Sequence, residues 1–376
     1  MVTLDALVAG SDRLSLRIDA EPSRDVFDID VSARGAANGV LARMIKARGP
    51  VSLAVTGDGN WARWRGTADG SVGRTKIVDL ALAQEAGRYT LSGVMAPSSL
   101  LGGKLQRLTA PRVLVNGAAT FERRRLDGRL SLRTPALAVD TTGGIDLGTN
   151  AYRNVRIKAR LLRPQALFGN MTGNAVELRA ILDGAFATAA FDYRIDASRF
   201  AFDKTGFENA HAAGKGRLSA APVTVPIRFT AARVTGVGDV AGGILRNLSV
   251  EGKLSVTAQT LIGNDLVLRS DKLSGRINLQ LDLKTGQFEV GVNGALGRYL
   301  IPGLGIVDVK SVLRVVPGPG GKGTRIVGQG SAQMLRLDNA FFRSLAGGLP
   351  RITTNLERTP DGILHFTNLV LTAPQI

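Results

Sequence analysis

Apolar and polar residues alternate along most of the chain, most clearly between Gly275 and Val292. A period of two places the apolar side chains on one face of an extended strand and the polar ones on the other. Residues 284–287 read Lys-Thr-Gly-Gln, and Gly286 can take the positive φ that a tight turn requires. The stretch therefore predicts a β-hairpin with one apolar face and one polar face.

The same pattern recurs from the first residues to the last, without the crossover helices that a parallel α/β sheet needs. We therefore expect an all-β fold, an elongated and curled antiparallel or mixed β-sheet that forms an open trough, with a few short amphipathic helices. Roughly 25 strands at about 4.8 Å would give a rod on the order of 100 Å. The expected organisation is one continuous segment, residues 1–376, with possible internal units 1–160 and 161–376.

Three short segments follow helical rather than strand spacing, namely residues 37–48, 163–171 and 339–345. Asn38 can cap the first, and Pro164 suits the first helical position of the second. Helices this short are marginal in water unless their apolar stripes are covered. We therefore expect the helices near Met44, Phe168 and Phe342 to plug or cap the trough.

A possible internal repeat of about 125 residues links two parts of the chain. Residues 53, 58, 59 and 61 read Leu, Asp, Gly and Trp, and residues 178, 183, 184 and 186 read Leu, Asp, Gly and Phe. Chance similarity between amphipathic strands is the alternative. The Asp-Gly pairs at Asp58, Asp127, Asp183 and Asp361 are interpreted as turns.

Composition limits the chemistry. The chain has no cysteine and two histidines that lie far apart, and its formal net charge is +17. No nucleophile elbow or metal-binding spacing occurs, and Gly318–Thr324 lacks the features of a phosphate-binding loop, so we expect no enzyme activity, no cofactor and no metal. The charge indicates either anionic partners or a solvated arginine-rich face. Trp61 and Trp64 are expected to pack at a groove edge, and a role as interface anchors is the alternative.

Four stretches are typical of one protein family. They are Leu126–Leu132, Ile244–Gly252, Leu300–Val309 and Asn355–Gly362. With the recurring Gly-x-Leu-x-Leu strands, they resemble the TamB branch of the AsmA-like, bridge-type lipid-transfer proteins of Gram-negative envelopes. The resemblance implies a periplasmic trough that carries phospholipid acyl chains, a single inner-membrane anchor, and a TamA-type outer-membrane barrel partner that the C-terminal end contacts. The anchor is not found in this sequence and the C-terminal end is shorter than the family's, so the chain is expected to be a piece of a longer polypeptide.

The expected function is therefore a structural conduit for lipid transfer between the two membranes and for envelope assembly. An outer-membrane or surface β-solenoid or barrel protein is an alternative, and a basic nucleic-acid-binding protein is another; the scarcity of aromatics disfavours both. The expected lipid-binding lining is the set of apolar residues that share one parity across successive strands. They are Leu254, Val256, Leu266, Leu268, Ile277, Leu279, Leu281, Leu283, Phe288, Val290 and Val292. An ordinary dry core is the alternative for this face.

Overall fold

A computed structural model describes residues 2–9, 12–237, 244–321 and 323–374, and nearly all of their regular structure is β-strand. The strand pairs are antiparallel, which confirms the predicted all-β class and selects antiparallel over mixed pairing. None of the described helices combines the length and hydrophobicity needed to span a bilayer.

The described strands are 24 in number. They are β1 (Val2–Ala9), β2 (Asp12–Glu21), β3 (Val26–Gly35), β4 (Val51–Gly59), β5 (Arg63–Val72), β6 (Thr75–Glu85), β7 (Arg88–Met95), β8 (Val113–Glu122), β9 (Arg125–Arg133), β10 (Leu137–Asp146), β11 (Ala151–Leu161), β12 (Met171–Asn174), β13 (Val176–Ala185), β14 (Ala190–Phe202), β15 (Thr205–Arg217), β16 (Val223–Thr235), β17 (Arg246–Val256), β18 (Thr260–Arg269), β19 (Leu273–Asp282), β20 (Phe288–Ile301), β21 (Gly305–Pro317), β22 (Thr324–Leu337), β23 (Arg351–Arg358) and β24 (Leu364–Thr372).

Helices are short and few among the described residues. The α-helices are α1 (Val40–Met44), α2 (Gly103–Thr109) and α3 (Ala340–Ala346). Single 3₁₀ turns occur at Pro22–Arg24, Pro97–Ser99, Pro164–Ala166 and Pro319–Gly321.

The chain divides into two compact units. The first unit is Met1–Leu167 with Glu177–Ala190, and the second is Phe168–Val176 with Phe191–Ile376. In the first unit, β1 to β11 form a meander in which each strand pairs with the next, and β11 also pairs with β13. Directly opposite residues in antiparallel strands lie on the same face, so the alternation of each strand adds to one shared apolar face.

The connections of the first unit fall on two edges of its sheet, because alternate turns of a meander lie at the same side. One edge, here called the hairpin edge, carries the tight turns at residues 22–25, 60–62, 86–87, 123–124 and 147–150. The other, here called the helical edge, carries residues 36–50, 73–74, 96–112, 134–136 and 162–167, including α1 and α2. Buried Leu108 of α2 packs against Ala136 and Ala166, which fixes α2 to this edge.

Asp12 holds the start of α1. Its carboxylate is buried and accepts hydrogen bonds from the backbone N–H groups of Ala36 and Leu41, both at 2.9 Å. Asn38, the predicted cap, does not take this role. The N-cap residue is Gly39, which has no side chain that could accept a hydrogen bond from the helix. A carboxylate from β2 therefore replaces the local cap that the sequence suggested.

The predicted hairpin between residues 275 and 292 is confirmed in the second unit. Strands β19 and β20 pair with Leu281 opposite Phe288 and Ile277 opposite Val292, and Gly286 has φ 79° in the turn. Around it, an apolar cluster collects inward-facing residues from β14 to β20. Leu266 is the most deeply buried of them, with 1% of its surface exposed.

The prediction that the four Asp-Gly pairs form turns is wrong at three of them. Of the four Asp-Gly pairs, Asp361-Gly362 alone lies in a turn; Asp58, Asp127 and Asp183 lie within β4, β9 and β13. The turn between β8 and β9 is instead made by Arg123 and Arg124, both with positive φ. The pattern missed this turn because neither residue is a usual turn former.

The helices do not plug a trough as predicted. Met44, the last residue of α1, is 73% exposed. In α3, Phe341 is 70% exposed and the neighbouring Phe342 is also exposed. Phe168 is buried, but it follows a single 3₁₀ turn rather than a longer helix. The sequence analysis also missed α2, whose Leu105 points outward while Leu108 is buried.

The possible internal repeat of about 125 residues is also found in the strand positions of the first unit. Strand β10 begins and ends 125 positions after β2, β11 begins 125 positions after β3, and β13 begins 125 positions after β4. Asp25 and Asn150 occupy equivalent turns with φ of 52° and 51°. The ring pairs Phe27–Trp61 and Tyr152–Phe186, also 125 positions apart, each have centroids 4.7 Å apart. These matches favour an internal duplication over chance similarity.

Candidate functional site

An apolar groove runs across the strands of the first unit and has a volume of about 770 Å³. Its floor follows one cross-strand row in which each residue lies opposite the next on the neighbouring strand. From β3 to β10, that row is Ile29, Gly57, Gly66, Leu82, Leu91, Gly117, Leu130 and Thr141. We call this concavity the first-unit groove.

Trp64 shapes one end of the first-unit groove. Its indole lies across Gly57 and Gly66, so a Cβ at Gly66 would come within 2.6 Å of the ring. Trp61, at the turn after β4, packs its ring against Phe27 at the hairpin edge. The prediction that the two tryptophans pack at a groove edge is confirmed, because both line this concavity.

Gly117 lowers the middle of the floor. A Cβ at this position would lie 3.2 Å from Leu91 Cγ and 3.4 Å from Leu130 Cδ1, so the two leucines approach each other over the bare backbone. A larger side chain here would occupy the volume of the groove itself. Gly117 is thus the position at which the groove can be filled by a single substitution.

The floor is open to solvent rather than sealed. Leu130 is 38% exposed, and Leu82, Leu91 and Ile29 are half-buried. Apolar surface exposed in a concavity is unfavourable in water, and a ligand that covers it gains free energy. The groove is therefore a better candidate for a binding site than for a packed core.

Few polar groups face the groove. Gln84 donates from Nε2 to the Trp61 carbonyl oxygen at 3.4 Å, and Asn60 accepts from the backbone of Ala62 and Arg63 to close the turn. Arg129 is the charged residue among the lining residues that the structure describes. An elongated apolar ligand with one polar end fits such a lining, whereas a strongly charged ligand would lack partners inside it.

The titratable groups with a displaced pKa lie away from the groove and serve structural roles. The hydrogen bond from Arg133 lowers the pKa of Asp140 on the polar face of β10. The backbone N–H of Thr149, in the turn after that strand, lowers the pKa of Asp146 at the end of β10. In the described part of the chain, no group of three or more His, Asp or Glu residues is arranged to hold a metal ion.

The predicted lining residues lie in the second unit, and those within strands share one face; Leu283 lies in the turn after β19. Register places Leu281 opposite Leu261 and Leu279 opposite Gly263, and a bulge at Asn264 and Asp265 lets Leu266 face Ile277. Leu254, Leu266, Leu268 and Ile277 are buried in the apolar cluster, and Val256, Leu279, Val290 and Val292 pack against it half-buried. Leu281, Leu283 and Phe288 are half-buried beside them.

Whether the predicted lining contacts lipid stays a prediction, since its buried centre is also what a dry core would show. The sequence analysis missed the residues of the first-unit groove, although Leu80-Ala-Leu82 and Leu130-Ser-Leu132 show the same alternation. The signal that distinguishes them is glycine among the apolar positions, at Gly57, Gly66 and Gly117; the first two accommodate the Trp64 ring and the third lies between Leu91 and Leu130.

Comparisons of this chain with known protein families, with curated proteins and with solved structures found no significant match.

Proposed function

We propose that this protein binds the acyl chains of lipids in the first-unit groove and acts as a conduit for lipid transfer. The observation that carries the proposal is the open, largely apolar floor in which Ile29, Leu82, Leu91, Gly117 and Leu130 of one cross-strand row line the groove, with the Trp64 ring covering Gly57 and Gly66 of the same row. Its volume of about 770 Å³ lies in the range of roughly 300–1,000 Å³ of small-molecule sites.

The apolar side chains of the groove are unfavourably exposed to water. Half-buried leucines such as Leu82, Leu91 and Leu130 gain roughly 25 cal/mol for each Å² of apolar surface that a ligand removes from water. An acyl chain is long, flexible and apolar, so it can follow the row from strand to strand. It also needs no specific hydrogen bonds, which agrees with the few polar groups in the lining.

The resemblance to the TamB branch extends the proposal to a biological setting. In that setting the lipid is phospholipid, the chain is periplasmic, and transfer runs between the inner and outer membranes. An inner-membrane anchor and a TamA-type outer-membrane barrel partner would belong to the same assembly. These parts of the proposal rest on the resemblance described above and not on the groove.

Native mass spectrometry of the purified protein tests the binding step. We expect co-purified phospholipid with the natural sequence and at least about tenfold less with Leu130→Asp, because a carboxylate on the groove floor repels acyl chains. Leu130 is exposed enough for the carboxylate to be hydrated, so the fold should persist. Asn116→Asp is the matched control, since it adds the same charge on the exposed polar face of β8.

A second substitution tests whether filling the groove, without adding a charge, also reduces phospholipid binding. Gly117→Phe occupies the groove with an apolar ring and should also reduce bound phospholipid, whereas Asn116→Phe should not. Circular dichroism would verify that all variants fold. Equal phospholipid in the natural protein, Leu130→Asp and Gly117→Phe would contradict the proposal.

A further inference from the structure

The helical edge of the first unit is strongly basic. Its five connecting segments contain no Asp or Glu and eight Lys or Arg residues. The basic residues are Arg43, Lys46, Arg48, Arg74, Lys104, Arg107, Arg112 and Arg163. The charges of the five segments are therefore of one sign, and the Asp12 carboxylate that caps α1 is buried beneath them. On the polar face of the sheet, by contrast, ion pairs such as Arg133–Asp140 and Lys76–Asp69 alternate the signs.

The same edge exposes large apolar side chains. Met44, Ile45, Leu101, Leu105 and Leu162 are exposed there; Leu105 has 53% of its surface in solvent and Leu162 has 54%. None of the five segments contains Phe, Tyr or Trp. The exposed apolar side chains of this edge are thus aliphatic and lie among lysines and arginines.

Hydrogen bonds join the five segments into two groups along the same edge of the sheet. The Gly73 N–H donates to the Pro50 carbonyl oxygen at 2.7 Å, which ties the β5–β6 turn to the α1 segment. The Thr134 hydroxyl donates to the Leu108 carbonyl oxygen at 2.8 Å, and Arg107 Nε donates to the Ala166 carbonyl oxygen at 3.1 Å. The basic and aliphatic side chains are therefore held on one supported edge.

We infer that the helical edge docks on the surface of a membrane that contains anionic lipids. Short helices that combine Lys and Arg with exposed aliphatic residues bind at the headgroup boundary, where the apolar side chains enter the acyl region. Each Lys or Arg near an anionic surface contributes about 1 kcal/mol, or roughly fivefold in affinity. Single-stranded nucleic acid would instead call for stacking aromatics, which this edge lacks.

This docking surface is separate from the first-unit groove, whose aromatic residues Phe27, Trp61 and Tyr89 lie toward the hairpin edge. The inference goes beyond the proposed function, since an edge that binds a membrane does not require that the groove binds an acyl chain. The two can fail independently.

Vesicle flotation of the full chain tests the inference. We expect binding to vesicles of phosphatidylcholine with phosphatidylglycerol in equal amounts, much weaker binding to phosphatidylcholine alone, and loss of binding at high salt. Lys46→Glu with Arg48→Glu should weaken binding to the anionic vesicles by at least about tenfold. Arg88→Glu with Arg123→Glu, at the hairpin edge, changes the net charge equally and should have little effect.

A second pair of variants keeps every charge. Met44→Ser with Leu105→Ser should weaken vesicle binding while native mass spectrometry finds the same co-purified phospholipid as in the natural protein. Conversely, Gly117→Phe should retain vesicle binding. The inference would be overturned if the helical-edge and hairpin-edge variants lost vesicle binding equally. It would also be overturned if binding were equally strong with and without phosphatidylglycerol. Retention on DNA that the helical-edge variants abolish, with no binding to either vesicle, would overturn it as well.

Discussion

A single carboxylate, Asp12, fixes the first helical connection of the chain. The backbone N–H of Leu41 contributes most to lowering the pKa of Asp12, followed among the favourable contacts by the N–H of Ala36, against the opposing effect of burial. Because the pKa is lowered in the folded state, the ionised form stabilises the fold. That stabilisation is complete above the ordinary aspartate pKa and is lost as pH falls through the lowered folded value.

Asp12→Asn tests this role. The amide has one acceptor oxygen and no charge, so it cannot satisfy both N–H groups as the carboxylate does. We expect a lower midpoint of thermal unfolding at neutral pH and a weaker dependence of the midpoint on pH in the acidic range. Asp25→Asn, at an exposed turn with positive φ that asparagine accepts, is the control for the change of side chain and should leave the midpoint at neutral pH unchanged.

Sequence reasoning could not find Asp12, because its partners lie 24 and 29 residues further along the chain. In the sequence, Asp12 is indistinguishable from any other polar residue that precedes an alternating strand. The opposite holds for Gly286, whose turn was predicted from four consecutive residues. At this scale, local chemistry was predictable and contacts between distant residues were not.

At the scale of the element, alternation predicted strands well and their irregularities poorly. Within β18, odd-numbered residues face the cluster before the bulge at Asn264 and Asp265, and even-numbered residues face it afterwards. Leu261 and Leu266 therefore lie on the same face of the sheet. Leu261, which the predicted lining omitted, belongs to it for this reason. Turn assignments failed likewise, since Asp127-Gly128 lies inside β9 while two arginines make the turn.

The arginine turn offers a test of backbone strain. Arg123 and Arg124 have φ of 48° and 66°, which costs an ordinary residue roughly 1–2 kcal/mol. Arg123→Asn with Arg124→Gly supplies the residues that a two-residue hairpin turn prefers and should stabilise the protein by about 1 kcal/mol in chemical denaturation. Arg125→Gly, inside β9, should destabilise it by a similar amount. No gain from the turn variant would contradict the expectation.

The predicted lining of the second unit is tested by contrasting two positions. Leu281 is half-buried, and Leu281→Asp should leave the fold intact if its face is open to solvent while repelling acyl chains. Leu266→Asp, at a position 1% exposed, should unfold the surrounding strands, because an unpaired buried charge costs several kcal/mol. Photo-crosslinking from position 281 should capture lipid and from position 280 should not. Equal capture from both positions, or none, favours the dry core.

At the scale of the molecule, stability is expected to be local. The strand pairings described in each unit join strands that are adjacent or next but one in the chain, so each strand depends on its immediate neighbours. The predicted rod on the order of 100 Å stays a prediction for small-angle scattering.

Leu266→Ala tests this locality. Its side chain lies over the backbones of Gly252 and Gly263, and its loss should cost about 2–5 kcal/mol. Hydrogen exchange should then rise most in β17, β18 and β19 and remain nearly unchanged in β22 and β23. A uniform rise across the second unit would show instead that it unfolds as a single cooperative body.

The neighbour-to-neighbour pairing of the first unit also bears on how the protein is made. A strand that pairs with the strand synthesised just before it needs no later part of the polypeptide to complete its hydrogen bonds. The growing chain can therefore fold hairpin by hairpin as it leaves the ribosome or a translocation channel, in the order of its synthesis. Until the next hairpin arrives, the newest strand exposes a free edge, which is the point at which a chaperone would act.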